Sequence, residues 1–439
     1  MSPVEKTKLT ISLLILFIFV SSQLFSFVFA TSMMWSQTYG GDGRDICTSM
    51  IQNADGGFVL FGFTESFGAS SAWLVKTDDY GNMKWNKTVS GSINSFIHTL
   101  DGGFAFVGTN ASSIDGYIPV GYLPDGFWSH VWLAKTDAYG NIEWNQTLDE
   151  EIGCYQGSSM VQTKDGGYAL VANSFSSIGD YDDILLIKTD SYGNREWSKL
   201  YNYSEHESSS GLIQTTDGAF VLVSKTYSLG ETPDFWFTKT DESGNEELNW
   251  TYDDSKMFSI TSLIELSDGG FALAGGCITS GDRGADFYLT KMDNIGNVEW
   301  TQTYGTNKDE HSHPSLVQTS DGGFALAGYT VTSDDHLLAD FLLIKTDKQG
   351  NMLWNQTFSG QAVFGYPLLI QTLDGGFALS GAIGSWETGD YDFWLIKTDE
   401  PGIILEFPSW AILPLVVVVV ALFGGIVFRK RLFHRHSFS

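Results

Sequence analysis

The chain has 439 residues, of which 43% are apolar and 14% aromatic, and this excludes the aromatic-poor, charge-rich composition of disordered proteins. Residues 31–409 hold 18 of the 24 Lys and Arg but 51 of the 52 Asp and Glu, a net charge of −33 for that region. A surface of this sign repels phosphate backbones and excludes nucleic acid as a partner.

The N-terminal residues 1–30 have the pattern of a secretory signal peptide. Lys6 and Lys8 precede an apolar stretch that runs from Leu9 to Phe29, and the small residue Ala30 follows. The apolar stretch is long for a cleaved signal, so the same residues also suit an uncleaved membrane anchor. Both a cleaved signal and an uncleaved anchor predict that the residues after it are exported.

A phrase built on Asp-Gly-Gly recurs seven times between residues 34 and 400. Its copies begin at Asp55, Asp101, Asp165, Asp217, Asp268, Asp321 and Asp374. A second phrase, Lys-Thr-Asp or once Lys-Met-Asp, ends at Asp78, Asp137, Asp190, Asp241, Asp293, Asp347 and Asp399. Units of this kind cannot bury their apolar faces alone, so residues 34–400 are predicted to form one domain of seven repeats.

Each repeat divides into four short apolar runs with turn residues between them. In the sixth, the runs are SLVQT, GGFALAGYT, DFLLIKTD and MLWNQTF, and Gly, Asn and Asp occupy the intervening turns. This pattern predicts four antiparallel strands. A spare fourth strand, Trp35–Tyr39, precedes the first repeat, and the last repeat lacks its own. We therefore predict a ring that is closed by the N-terminal strand.

The phrases YGGDGRD, QTSDGGFALAGYT, DFLLIKTD and GNMLWNQT resemble the repeats of seven-bladed β-propellers in secreted and surface-anchored proteins of bacteria and archaea. The resemblance implies an all-β fold of four-stranded blades that serves as a display scaffold. The fourth repeat departs from it, with Asp-Gly-Ala at Asp217 and with its Trp250 two residues late, and we expect a local bulge there. A similar phrase docks the blades of quinoproteins, but the absence of a vicinal cysteine pair disfavours a quinone cofactor.

Residues that recur in every repeat are expected to be structural. The tryptophans are predicted to pack between neighbouring blades: Trp85, Trp144, Trp197, Trp300 and Trp354. The lysine of each Lys-Thr-Asp is expected to pair with a blade carboxylate such as Asp340 or Asp392, because half-buried charges must be matched.

In a four-stranded blade the Asp-Gly-Gly and Gly-Asn turns open on one face, and the variable loops open on the other. Those loops are rich in carboxylates, for example at Asp149, Glu150 and Glu151. Crowded carboxylates can bind calcium, but no segment matches a dedicated calcium loop, and a solvated acidic rim also explains them. Calcium is therefore the one cofactor that the sequence leaves open.

The second repeat contains an aromatic insert, IDGYIPVGYLPDGFWSH, on a variable loop. It holds the four ligand-binding candidates Tyr117, Tyr122, Phe127 and Trp128. Exposed aromatic rings suit stacking on a sugar or on a protein partner. A small core folded over the blade is an equally good interpretation.

A second local feature is the segment Asp309-Glu310-His311-Ser312-His313. On an extended strand, His311 and His313 point the same way and, with Asp309 and Glu310, form a candidate metal site. Two histidines lack the third ligand that a catalytic zinc needs. No nucleophile elbow, phosphate loop or zinc-protease motif is present, so no catalytic residue is predicted.

Six sequons mark candidate N-glycosylation sites, at Asn86, Asn110, Asn145, Asn202, Asn249 and Asn355. Cys47, Cys154 and Cys277 fall in three different repeats at spacings that suggest no disulfide. They are interpreted as buried small residues.

The C-terminal end has the pattern of a membrane anchor. Residues 401–409 are interpreted as a linker, and residues 410–428 form an uncharged apolar stretch long enough for one helical span. The basic tail, residues 429–439, is expected to be cytoplasmic by the positive-inside rule. The protein is therefore expected in the plasma membrane as a single-pass protein with its propeller outside the cell.

These features favour a non-enzymatic surface propeller that binds an extracellular glycan or another surface protein. Two alternatives remain. One is a hydrolase or lyase that acts on extracellular polysaccharide, and the other is a purely structural protein of the cell envelope.

Overall fold

The structure is a computed structural model, and it describes residues 26–30, 33–67, 71–89, 92–111, 129–148, 154–175, 182–202, 207–226, 234–252, 257–278, 285–305, 310–331, 339–359, 363–385, 388–399 and 402–406. Thirty strands and no helix are found in these ranges. The chain separates into two units, residues 32–400, and residues 1–31 together with 401–439.

The strands of the first three blades follow two strands near the N-terminus. These two are β1 (Ser26–Ala30) and β2 (Met33–Tyr39). Blade 1 contains β3 (Asp45–Gln52), β4 (Phe58–Thr64), β5 (Ser71–Thr77) and β6 (Met83–Val89). Blade 2 contains β7 (Ser92–His98), β8 (Phe104–Ala111), β9 (Ser129–Thr136) and β10 (Ile142–Leu148). Blade 3 contains β11 (Cys154–Gln162), β12 (Tyr168–Phe175), β13 (Asp182–Thr189) and β14 (Arg195–Tyr201).

The remaining blades repeat this order. Blade 4 contains β15 (Glu207–Gln214), β16 (Phe220–Thr226), β17 (Asp234–Thr240) and β18 (Glu246–Tyr252). Blade 5 contains β19 (Met257–Glu265), β20 (Phe271–Ile278), β21 (Ala285–Met292) and β22 (Val298–Tyr304). Blade 6 contains β23 (Glu310–Gln318), β24 (Phe324–Val331), β25 (Ala339–Thr346) and β26 (Met352–Phe358). The chain ends with β27 (Val363–Gln371), β28 (Phe377–Ser385), β29 (Asp390–Thr398) and β30 (Gly402–Glu406).

Blade 7 is completed from the other end of the propeller unit. Its sheet has the order β2-β29-β28-β27, so the N-terminal strand is its fourth strand. The first strands of successive blades contact each other in sequence, and β27 contacts β3. The predicted fold, seven four-stranded antiparallel blades with N-terminal closure, is confirmed for residues 32–400.

The core of the propeller lies between blades. Strand β4 has five consecutive buried residues, Phe58 to Gly62, because its two faces are covered by two different neighbours. By contrast, β6 alternates exposed and partly buried positions. At the closing boundary, Phe393 of blade 7 packs against Trp73 of blade 1, with ring centroids 4.9 Å apart. Interblade burial is what makes each repeat depend on the next.

The repeated tryptophans dock each blade onto its successor, as predicted. Trp144 of blade 2 packs edge-on against Tyr168 of blade 3, with ring centroids 5.8 Å apart. Its ring also covers Gly193, where an added Cβ would lie 2.5 Å from Trp144 Cζ3. Gly193 has a φ of +80°, so a glycine is required there for two independent reasons.

The fourth blade corrects one expectation. Its register irregularity lies between Lys239 and Thr240, the same place as in other blades, so the predicted special bulge is wrong. Leu248 occupies the register position of the other tryptophans, and Trp250 lies two residues further along the strand. Because strand side chains alternate with a period of two, Trp250 still faces the next blade and covers Gly296.

The second unit contains one described sheet, in which β1 pairs antiparallel with β30. These strands fall in the expected signal, residues 1–30, and in the expected linker, residues 401–409. No helix in the described ranges is long and apolar enough to cross a membrane. The predicted span, residues 410–428, lies outside those ranges and stays a prediction.

Candidate functional site

We call one side of the ring the turn face. It carries the A–B turn of every blade and the C–D turns of blades 1 to 6, where A to D are the four strands in order. The C–D turn is held by the aspartate of Lys-Thr-Asp. Asp190 Oδ1 accepts backbone N–H groups from Tyr192 (2.9 Å) and Asn194 (2.9 Å), and its Oδ2 accepts the Asn194 side-chain amide at 2.8 Å. The same bonds recur at five other turns, so these backbones are fixed in advance of any ligand.

The A–B turn is held by an ion pair that the sequence analysis assigned to the wrong partner. Each repeated lysine pairs with the aspartate of Asp-Gly-Gly in its own blade, and not with Asp340 or Asp392. The N···O distances run from 2.8 Å for Lys345 with Asp321 to 3.4 Å for Lys239 with Asp217. The remaining pairs are Lys76–Asp55, Lys135–Asp101, Lys188–Asp165, Lys291–Asp268 and Lys397–Asp374.

These ion pairs are asymmetric in their burial. The lysine side chains are 5–15% exposed, and the aspartates are 51–63% exposed. Burial opposes ionisation of the Asp321 carboxyl, but its hydrogen bond and charge interaction with Lys345 outweigh burial and lower its pKa to about 2. The seven pairs therefore neutralise nearly buried lysines, which is a structural role.

A third set of bonds on the turn face joins neighbouring blades. The Gln162 carbonyl in blade 3 accepts the backbone N–H of Leu100 in blade 2 at 2.7 Å, and Gln52 accepts that of Leu373 at 2.9 Å. Equivalent bonds are made by Gln214, Glu265, Gln318 and Gln371. The polar groups that recur on this face are thus engaged within the scaffold.

The residues that vary on the turn face differ between its two halves. Over blades 7, 1, 2 and 3, five large side chains project into solvent: Tyr80 is 67% exposed, Leu100 80%, Tyr139 69%, Tyr192 69% and Leu373 73%. We call these five residues the exposed arc. In blades 4 and 6 the tyrosine position holds Ser243 and Gln349, and in blade 5 it holds Ile295, which is aliphatic and 55% exposed. The arc residues therefore occur in some blades only, unlike the structural residues that recur in every blade.

Part of the arc borders an open groove at the boundary of blades 2 and 3. The groove has a volume of about 530 Å³ and is lined by Leu100, Asp101, Glu143, Trp144, Gln162 and Tyr192 among others. Its lining combines apolar and aromatic side chains with carboxylate and amide groups. Such a lining suits a ligand that has both apolar faces and hydroxyl groups.

The arc was not predicted from the sequence, because the Asp-Gly-Gly and Gly-Asn turns are nearly constant among the repeats. The signal was present: a tyrosine stands between Lys-Thr-Asp and Gly-Asn in three consecutive repeats, at Tyr80, Tyr139 and Tyr192. The predicted ligand-binding residues, Tyr117, Tyr122, Phe127 and Trp128, lie outside the described residues and stay predictions.

The predicted metal site is only partly described. Asp309 lies outside the described residues, while Glu310 and His311 pair with Thr330 and Tyr329 in β24. The ladder then shifts register before Ser315, and the shift includes His313. In the described part of the chain, no group of three or more His, Cys, Asp or Glu side chains is arranged to hold a metal ion.

Four of the six sequons share one register position on the outermost strands. Asn86, Asn145 and Asn355 are exposed, whereas Asn249 is half-buried and its Oδ1 is buried without a hydrogen-bond partner among the described residues. Asn202 is also exposed, and Asn110 lies in β8. Glycosylation stays a prediction at all six.

Two of the three cysteines have described side chains. Cys47 and Cys277 are buried, as predicted, and neither forms a disulfide in the described part of the chain. Burial raises the pKa of Cys47 to about 12. The side chain of Cys154 is outside the described residues.

No protein-family model and no curated protein matches this sequence. Among solved structures, the chain is similar to an ulvan lyase of a polysaccharide lyase family, bound to its sugar. The two share 8% identity with a TM-score of 0.51, over 86% of this chain and 97% of that one. It is also similar to a protein of unknown function from Dyadobacter fermentans, at 11% identity and a TM-score of 0.47, over 84% of this chain and 99% of that one. At these identities the likeness shows the fold alone.

Proposed function

We propose that this protein is a non-enzymatic binding scaffold of the cell surface that holds a neutral glycan chain on its exposed arc. The observation behind the proposal is the arc itself: five large exposed side chains on four neighbouring blades, next to an open groove. The residues that recur in all blades are engaged in structural bonds. We therefore assign ligand binding to the exposed arc, whose residues differ between blades.

The chemistry of the arc favours a carbohydrate over a protein. Tyrosine presents a flat apolar ring together with a hydroxyl, which suits the apolar face and the hydroxyl groups of a sugar. The backbone N–H groups of Tyr80, Tyr139 and Tyr192 each bond to the turn aspartate at 2.9 Å, so little order is lost on binding. An arc over several blades suits a chain of sugars.

The charge of the propeller narrows the class of glycan. With a net charge of −33 over residues 31–409, the surface repels sulfated and uronate-rich polymers. The ligand is then a neutral or amino-sugar polymer. The expected signal at residues 1–30 and the expected span at residues 410–428 would place the propeller outside the cell, where such polymers occur.

A glycan array probed with the full-length protein in detergent tests this proposal. We expect retention on neutral or amino-sugar polymers, and weaker retention for Tyr192→Ser. Gln349→Ser, at the same turn position in blade 6, is the matched control and should bind like the wild type. Retention only on sulfated or uronate-rich polymers, or equal binding by all three proteins, contradicts the proposal.

The same samples separate the alternative functions. Polymers incubated with the protein are assayed for new reducing ends and for unsaturated products. Turnover would replace the scaffold by an enzyme. Absence of retention on every glycan, together with capture of a surface protein that Tyr192→Ser also captures, would remove the arc as the binding site.

A further inference from the structure

The boundary at which blade 7 meets blade 1 holds two carboxylates that lack the partners found elsewhere. Asp45 begins the first strand of blade 1 and is fully buried. Asp392 lies in the third strand of blade 7 and is half-buried. We call this pair the closing carboxylates. They lie at the end of the blades opposite to the turn face.

The closing carboxylates converge on one point beside Gly40. A Cβ added to Gly40 would lie 1.7 Å from Asp392 Oδ1 and 2.7 Å from Asp45 Oδ2. The two acidic side chains are therefore neighbours although they are far apart in sequence. The peptide segment around them is fixed, since the backbone N–H of Tyr391 donates to Gly43 O at 3.3 Å.

The hydrogen bonds of this pair are incomplete. Asp45 Oδ2 accepts the Gly41 N–H at 3.1 Å and the Ser66 hydroxyl at 2.7 Å. By contrast, Asp45 Oδ1 and Asp392 Oδ1 are buried without a hydrogen-bond partner in the described part of the chain. A buried carboxylate oxygen without a partner is costly, so a missing group is indicated.

Among the described residues, no positive side chain acts on the pKa of Asp392, although Arg44 forms an isolated backbone bridge with the neighbouring Tyr391. Burial raises the pKa of Asp392, and the nearby charges that add to the rise, Asp390 and Asp45, are both negative.

The aspartate at the same position in blade 6, Asp340, differs, because its Oδ2 accepts the Ser359 hydroxyl at 3.0 Å. In blade 3, burial also raises the pKa of Asp183 at this position, but a hydrogen bond from the Asn202 side chain opposes the rise. The closing boundary differs from blades 3 and 6 because the nearby charges that act on Asp392 are two further carboxylates.

We propose that the closing carboxylates bind a divalent cation of the calcium class, which joins the last blade to the first. Carboxylate and hydroxyl oxygens are hard ligands that calcium prefers, and Asp45, Asp392 and Ser66 supply them from both blades, with water completing the shell. No histidine or cysteine is needed. The site is independent of the exposed arc, and its cation stabilises the closed ring.

Thermal unfolding of the full-length chain with calcium, with magnesium and with a chelator tests this proposal at constant ionic strength. Calcium should raise the Tm of the wild type by several degrees over the chelator, because a ligand that binds the folded state stabilises it. Asp392→Asn should abolish this rise. In chelator the same variant should melt above the wild type, since it removes the repulsion between the carboxylates. Asp340→Asn is the matched control and should keep the calcium response.

Gly40→Ala gives a second measurement that leaves both carboxylates in the chain. Its Cβ displaces Asp392 Oδ1, so the calcium response should shrink. A wild-type Tm that is equal in calcium and in chelator overturns the proposal and favours a proton shared between the two carboxylates. An unchanged calcium response in Asp392→Asn also overturns it, because the stabilising ion would then bind elsewhere on the acidic surface.

Discussion

The two halves of the turn face share a scaffold and differ in their surface. In blades 7, 1, 2 and 3 the turns expose Tyr80, Tyr139, Tyr192, Leu100 and Leu373. The corresponding turns of blades 4 and 6 expose small or polar residues, and that of blade 5 exposes the aliphatic Ile295. The ion pairs beneath are the same in both halves: Lys135–Asp101 and Lys345–Asp321 each measure 2.8 Å.

The difference between the two halves indicates which residues of a repeat can carry function. Residues that occur in every blade hold blades together, and their repetition reflects a repeated structural need. Residues that occupy the same turn position but occur in only some blades are free of that need. Changes to the shared scaffold are expected to have the largest effects on stability, and changes at the tyrosine positions of the turns the smallest.

The largest effect is expected from the glycines that the tryptophans cover. Gly193→Ala in one half and Gly350→Ala in the other place a Cβ 2.5 Å and 2.7 Å from a tryptophan ring carbon, at φ values of +80° and +79°. Each should lower the free energy of unfolding by about 2–4 kcal/mol, from left-handed strain and overpacking together. Chemical denaturation measures it. An effect confined to one half would contradict a shared scaffold.

An intermediate effect is expected at acid pH. Interaction with the paired lysines lowers the pKa of Asp101, Asp165 and Asp321 to about 2 against the opposing effect of burial, below the ordinary value of 3.8. A lowered folded-state pKa contributes stability that is present above the ordinary value and is lost as pH falls towards the folded-state value. The wild type should therefore lose stability between pH 4 and pH 2.

The control for acid unfolding is Asp321→Asn, which removes one of the titrating groups. It should be less stable than the wild type at neutral pH and should lose less stability on acidification. A pH slope equal to that of the wild type would show that the ion pair does not persist in solution.

The smallest effect on stability is expected from grafting the arc onto the other half. Ser243→Tyr and Gln349→Tyr introduce tyrosines at exposed turn positions, where substitutions usually change stability by less than about 0.5 kcal/mol. Binding of the glycan retained on the array should become tighter, since the arc is extended. Titration calorimetry measures this gain, and a loss of affinity would contradict the stacking role of the turn tyrosines.

The scaffold could be predicted from the sequence because each structural need recurs seven times. The spare strand at Trp35–Tyr39 was sufficient to predict ring closure, and the recurrence of the tryptophans was sufficient to predict that they pack between blades. The partner of each repeated lysine was not predictable. Lys345 lies 24 residues from Asp321, and other carboxylates, such as Asp340 and Asp347, are closer to it in sequence.

The closing carboxylates show a second limit of sequence reasoning. Asp45 and Asp392 are separated by nearly the whole propeller, and only ring closure makes them neighbours. The exposed arc shows a third limit. Its tyrosines were visible in the sequence, but their exposure became apparent only when the turn aspartates and asparagines were seen to bond among themselves and leave the tyrosine rings in solvent.

The most direct test of the functional proposal is the affinity of the array-selected glycan for the triple variant Tyr80→Ser, Tyr139→Ser and Tyr192→Ser, measured by titration calorimetry beside the wild type. Aromatic contacts contribute about 0.5–1.5 kcal/mol each, so the affinity should fall by roughly tenfold or more while the Tm stays unchanged. An unchanged affinity in a folded triple variant would contradict the assignment of the arc as the binding surface.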